Sequence, residues 1–219
     1  MDYFHRQIQL WGEETQNLLA TKKIAIIGCG GLGCSNAIAL GSSGVGEIYL
    51  VDFDIVSLHN IHRQIAFTLD DEEKPKSEVV AKLLKSRYDK TKVEFFVEGV
   101  DEFSKRDIEL DLIIDCTDNL PARAKIDNFA KKIGINWVYG SVEEFYGQAC
   151  LFEKAKFEEV FSVKEKAPEG IAAPMVMHIA SLQANLALKY LTEQDVKKDY
   201  LYYLRFEDEL ITQKFKLPS

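Results

Sequence analysis

The chain has 219 residues, 27 Lys and Arg against 35 Asp and Glu for a formal charge of −8, and 47% apolar residues. That is ordinary globular composition, and a chain this long removes roughly 70% of its unfolded surface from water, so neither disulfides nor a metal are needed to supply a core. The acidic balance excludes general nucleic-acid binding. Read from the start, Met-Asp-Tyr-Phe-His-Arg carries Asp2 and no apolar signal core, so the chain is expected in the cytosol.

Lys23 to Ile27 reads as a buried strand. Gly-Cys-Gly-Gly-Leu-Gly at 28–33 then opens a helix running to about Ser43, and Glu47 to Val51 is a second strand, completing a β-α-β unit. Further on, Lys76–Tyr88 reads as a helix, Val93–Val97 and Asp111–Asp115 as strands, Asn119–Ile133 as a helix and Ile135–Tyr139 as a strand. The expected fold class is therefore α/β, a doubly wound Rossmann-like, mostly parallel sheet.

After Gly140 the texture changes. Gly147–Glu153 and Phe157–Val163 read as paired strands, and Met175–Leu191 as a helix with Met175, Ile179, Leu182, Leu186 and Tyr190 on one stripe. Tyr200–Phe206 and Leu210–Lys216 flank Glu207-Asp208-Glu209 as a hairpin, a C-terminal antiparallel extension. The most apolar late stretch, Ile171–Leu191, is interrupted by Pro174, His178, Ser181, Gln183 and Asn185, too polar for a bilayer span, so no membrane is expected. With no linker visible, residues 1–219 are one expected domain. A soft division near 140 separates a nucleotide-binding part from a part for docking and dimer contacts.

Glycines 28, 30, 31 and 33 between a strand and a helix let backbone N–H groups face a phosphate without side-chain obstruction. Asp52 ends the second strand roughly 20 residues on, where a carboxylate accepts ribose hydroxyl hydrogens. Those residues alone suit a dinucleotide. Asp54, Asn60, Arg63 and Lys76, crowded in before the next strand, bring cations that match a polyphosphate better than a pyrophosphate bridge. Asp115-Cys116-Thr117-Asp118-Asn119 closes the Leu112–Ile114 strand at the carboxyl edge of the sheet, where Asp118 is a candidate Mg²⁺ ligand. Asp115, Thr117 or Asp118 could instead cap the following helix.

Six ordered blocks carry a resemblance: FHRQIQLWGEETQ at 4–16, GCGGLG with GVGEIYLVDFD, NIHRQ with KPK, DCTDN, GSVEEFYGQ at 140–148 and SLQANLALKYL at 181–191. Together they resemble the ThiF/MoeB/HesA adenylyltransferases, relatives of ubiquitin-activating enzymes. The resemblance implies ATP as co-substrate, with Mg²⁺. The partner it implies is a small ubiquitin-like sulfur carrier ending in Gly-Gly, of ThiS or MoaD type, whose carboxylate attacks the α-phosphorus to give an acyl-adenylate and pyrophosphate. By the same resemblance Asp52 binds ribose, Asn60, Arg63 and Lys76 contact the phosphates, and Asp118 goes with Mg²⁺ and catalysis. Arg6 reaches across a homodimer into the partner subunit's ATP site.

The chain also departs from the family. Cys29, Cys34, Cys116 and Cys150 include no C-x-x-C pair, so no zinc is expected and the four are read as free, buried thiols. Ser162–Ala173 holds no cysteine for a covalent carrier intermediate, and Lys164, Glu165 and Lys166 read as a solvated crossover. The aromatics at 145, 146, 152, 157, 161, 200, 202, 203 and 206 are expected to be mostly core, though they suit a docking surface too. Two alternatives share part of the pattern. A dinucleotide-dependent oxidoreductase, using NAD, uses Gly28, Gly30, Gly33 and Asp52 but leaves Arg63, Lys76 and Asp118 without a task, whereas an adenylyltransferase acting on a small peptide uses all of them.

Overall fold

A computed structural model describes residues 3–162 and 170–218. Its elements in chain order are α1 (His5–Leu19), β1 (Lys23–Ile27), α2 (Gly31–Ser43), β2 (Glu47–Val51), α3 (Lys76–Arg87), β3 (Lys92–Phe96), α4 (Val100–Phe103), β4 (Leu112–Asp115), α5 (Leu120–Ile133), β5 (Asn136–Glu143), β6 (Tyr146–Phe152), α6 (Phe157–Val160), α7 (Ala173–Leu191), β7 (Tyr200–Phe206) and β8 (Leu210–Lys216). One sheet runs β3-β2-β1-β4-β5-β6-β7-β8, parallel from β3 to β5 and antiparallel from β6 to β8. The doubly wound sheet with its antiparallel extension is the fold that the sequence implies.

The strands β1, β2 and β4 are apolar almost throughout because both faces of a parallel sheet are covered. One face packs under α2, α3 and α7, with Leu40, Leu84, Ile179 and Leu186 among the buried residues. The other packs under α4 and α5 and holds Phe103, Phe129, Trp137, Phe152 and Phe157. No helix among the described residues is long and apolar enough to cross a membrane.

The segment from Phe157 departs from expectation. It forms the short helix α6, not a strand, because Phe157, Val160 and Phe161 recur at helical spacing against the aromatic cluster of Trp137, Tyr139 and Phe152. Asp127 Oδ2 accepts the Phe157 N–H at 3.1 Å, and β6 pairs instead with β5 and β7. Val163 and the crossover residues Lys164, Glu165 and Lys166 lie outside the described residues. The aromatics also divide: Phe152 and Phe157 are core, Tyr200, Tyr202 and Tyr203 are half-buried, and Phe145 and Phe206 are exposed. Near the end of the sheet, residues on both faces of β7 keep part of their surface in water.

Helix α1 is not among the elements expected from the sequence. It breaks at Gly12 (φ +84°) and is fastened to the C-terminal end of α2 by Gln7 and Gln16, whose side-chain amides donate to the Ser43 carbonyl at 2.6 and 3.0 Å.

Candidate functional site

Strand order reverses between β1 and β4, and the loop leaving β1 opens there, at the carboxyl edge where a doubly wound sheet leaves a crevice. Gly28 sits at φ +94°, and a Cβ there would lie 2.6 Å from the Cys116 carbonyl oxygen. At Gly33 a Cβ would fall 2.0 Å from the Gly28 carbonyl oxygen, so the loop closes only on a residue without a side chain. Gly30 is the N-cap of α2 and supplies no side-chain cap. The first turn of α2 therefore keeps its N–H groups for another acceptor, and that cradle fits an anionic phosphate.

Asp52 stands just past β2, buried, with Oδ2 accepting the Cys29 N–H at 2.5 Å and Oδ1 the Asp54 N–H at 2.7 Å. Burial pushes its carboxyl above the ordinary carboxylate range, more than the two N–H groups and the nearby Lys76 pull it down. The aspartate thus ties the glycine loop to β2, and each oxygen keeps a second lone pair for a hydroxyl donor.

Lys76 opens α3 with its side chain only 7% exposed and Nζ 2.7 Å from Asp54 Oδ2, while Asp54 itself is half in water. Asn60 is buried, and its Oδ1 accepts from Arg63 Nη2 at 3.1 Å. Arg63 also faces His62 Nε2 at 2.9 Å, so its guanidinium is held by three near neighbours, counting the His59 carbonyl. The Arg63 carbonyl oxygen lies 3.2 Å from where a Cβ on Gly31 would be, which puts this segment directly against the glycine loop.

At the end of β4, Asp118 is exposed and accepts only a long 3.4 Å bond from Asn119 Nδ2. The cap of α5 is Asn119, whose Oδ1 accepts the Ala122 N–H at 2.9 Å, so none of the three residues offered for capping is used. Asp115 is wholly buried, with Oδ1 accepting from the Thr117 N–H (3.0 Å) and hydroxyl (2.7 Å). Beneath it lies Arg123, 5% exposed, whose Nη2 donates to the carbonyls of Thr117 (2.8 Å) and Gly140 (3.2 Å). Sequence reasoning missed Arg123; a cation on the sheet-facing side of an amphipathic helix was the signal that could have found it.

Gly28, Gly30, Gly31, Gly33, Asp52, Asp54, Asn60, Arg63, Lys76 and Asp118 all belong to the connections that leave β1, β2 and β4 at this edge or to the first turns of the helices α2 and α3 that two of them enter. Arg6 does not. It is exposed on α1, beside the far end of α2, and about 18 Å of helix separates that end from the glycine loop. The four cysteines are buried thiols; burial pushes Cys29 and Cys116 well up, Cys34 to about 12, and Cys150 up as well. No group of three His, Cys, Asp or Glu among the described residues is placed to hold a metal ion by itself. A cation here would need ligand oxygens from a bound phosphate, an arrangement usual for Mg²⁺.

Residues 4–218 match the model of the ThiF family. The SAMP-activating enzyme E1 of Haloferax volcanii is 30% identical over 196 residues, 84% of this chain and 72% of that protein. In Escherichia coli, the molybdopterin-synthase adenylyltransferase is 32% identical (86% of this chain, 81% of that protein) and the sulfur carrier protein ThiS adenylyltransferase 30% identical (81% and 75%). Among solved structures, E. coli MccB with AMPCPP and MccA superposes with a TM-score of 0.87 at 21% identity, over 99% of this chain and 71% of that one.

Proposed function

The chain belongs to the ThiF family, and on that premise we propose that it is an ATP-dependent adenylyltransferase acting on a small ubiquitin-like sulfur carrier of ThiS or MoaD type in the cytosol. The reaction activates the carrier's C-terminal Gly-Gly carboxylate as an acyl-adenylate for thiamine or molybdopterin biosynthesis. The observation that carries this reading is the gathering at one edge of an uncapped glycine-loop helix, two cations and the exposed carboxylate of Asp118.

In this reading the N–H groups of the 28–33 loop cradle the triphosphate, and Asp52 accepts from the ribose hydroxyls. A carrier carboxylate oxygen forms a bond to the α-phosphorus. The bond from that phosphorus to its bridging oxygen breaks, and the electron pair leaves with pyrophosphate. Arg63, steadied by Asn60, and Lys76, steadied by Asp54, meet the charge that builds on the leaving group. Asp118 would hold a Mg²⁺ together with phosphate oxygens, and such an ion would further neutralise that charge. No protein nucleophile is required, in keeping with four thiols held neutral by burial. Arg6, too far from its own glycine loop, serves the partner subunit's site in a homodimer.

Radiolabelled pyrophosphate should exchange into ATP only with Mg²⁺ and a Gly-Gly-terminated carrier; exchange without a carrier would count against the mechanism. For the dimer, an inactive Arg6→Ala chain mixed with an inactive Asp118→Ala chain should regain activity, because one site in each heterodimer then holds both groups. No recovery, with subunit exchange demonstrated, would place Arg6 in cis or outside the mechanism.

A further inference from the structure

Arg123 and Asp115 form a buried charge pair that makes a poor ion pair. Arg123 Nε lies 3.3 Å from Asp115 Oδ2 without forming a hydrogen bond to it, and the Gly140 backbone N–H also bears on this carboxyl. The well-made contacts of this guanidinium go elsewhere, to the carbonyls of Thr117 and Gly140, with Cζ 5.2 Å from the centre of the Tyr139 ring. An apolar pair of the same volume would hold α5 against the sheet at no greater cost, since two buried charges are expensive to desolvate. It could not grip a carbonyl.

Thr117 is the residue so gripped. Its N–H and hydroxyl donate to Asp115 Oδ1, and its carbonyl accepts from Arg123, so every polar atom of Thr117 is engaged by this pair. Asp118 comes next, bonded only weakly to its neighbour. The backbone is thus clamped immediately before a carboxylate that the fold leaves unused. We propose that Arg123 is a positioning residue: by holding the Thr117 carbonyl together with that of Gly140, it sets the direction in which Asp118 leaves the backbone. The inference rests on the adenylyltransferase reading for the role of Asp118, but the clamp itself is testable without nucleotide.

Arg123→Met alone leaves Asp115 buried and unpaired, and it would be expected to unfold. The test is therefore the double variant Asp115→Asn/Arg123→Met, which buries no lone charge. Amide hydrogen exchange of the nucleotide-free protein should show residues 116–118 exchanging at least tenfold faster in the double variant, while amides of 126–130 in the middle of α5 keep their protection. In pyrophosphate exchange with a Gly-Gly-terminated carrier, kcat should fall at least tenfold with KM for ATP within about twofold, and Asp118→Ala should cost at least tenfold less when added to the double variant than it does in the parent. A folded double variant with the protected 116–118 segment of the parent, or with undiminished kcat, would overturn the clamp. If the parent protein shows no exchange with any carrier, the adenylyltransferase reading fails, and hydrogen exchange alone still decides on the clamp.

Discussion

The two halves of the sheet solve the same packing problem with different consequences. From β3 to β5 the strands are parallel, both faces are covered, and the loops at the carboxyl edge are drawn together by backbone contacts, as where Gly28 meets Cys116. From β6 to β8 the strands are antiparallel, the order follows the chain, and the sheet meets α7 through side chains, as where Gly147 faces Ile179, with Tyr202, Tyr203 and Phe206 partly in water. Backbone-to-backbone closure leaves no room for adjustment, whereas side-chain closure does.

Two glycines make that difference measurable, and the first carries the largest expected effect. A Cβ on Gly33 meets the Gly28 carbonyl oxygen at 2.0 Å, and one on Gly147 meets Ile179 Cγ1 at 2.2 Å, nearly the same overlap. The first obstacle is backbone that cannot move, the second a side chain that can be accommodated only by repacking Ile179 within the core. Gly33→Ala should cost about 4 kcal/mol or more, or prevent folding, whereas Gly147→Ala should cost about 1–3 kcal/mol as an overpacked core site does. Urea unfolding of the two variants decides it, and equal losses would remove the distinction between the halves.

The parallel half was the more legible of the two. The strand, glycines and helix at 23–43 read directly from the residues, because a fully buried strand has no alternation to misread and a glycine loop has few other uses. The short helix at Phe157 was misread because four apolar residues among seven fit both alternation and a single helical turn. Helix α1 is amphipathic, but Gly12 breaks it in the middle and one of its two buried residues is Gln16, so it was not read as a helix. At the site, the residues facing outward were found from motif and charge. Arg123 was missed because it acts from below, on backbone carbonyls, and such a contact has no sequence spacing of its own.

At the parallel edge, removing a functional group should cost reaction and not stability. Asp118→Ala should lower carrier-dependent pyrophosphate exchange by about a hundredfold or more, the range seen when one transition-state electrostatic contact is lost, with an unchanged urea midpoint. Unchanged turnover would take Asp118 out of the site.

Asp52 should show the reverse trade. Its folded-state carboxyl sits above the unfolded value because burial disfavours the charge. The stability linked to that proton is full below the unfolded value and is lost as pH rises through the raised folded one. Asp52→Asn loses one of the two N–H bonds at every pH, because an amide has a single accepting oxygen. Against that constant loss, its stability relative to the parent should improve as pH rises from ~3, below the usual carboxylate range, to 7. ATP affinity should fall in the same variant. A relative stability that instead improves on acidification would reverse the sign and make Asp52 a net stabiliser in its charged form.

The smallest expected effect separates two neighbours. Asn119 caps α5 by accepting the Ala122 N–H, and Pro121 in the first turn has no N–H to satisfy, so this one side chain does most of the work of starting the helix. Asp118, one residue earlier, touches that cap only through the long 3.4 Å bond it accepts from Asn119 Nδ2. Asn119→Ala should cost about 1 kcal/mol in urea unfolding and Asp118→Ala close to none, while exchange activity ranks them in the opposite order. The reason lies in the register: β4 ends at Asp115, two more residues turn the chain, and only the residue at the N-cap can face back to the helix. The residue before it is exposed, accepts no backbone N–H of the first turn, and is left to whatever occupies the crevice. Were Asp118→Ala the more destabilising of the two, its carboxylate would belong to the fold, and the separation of framework from chemistry at this edge would not hold.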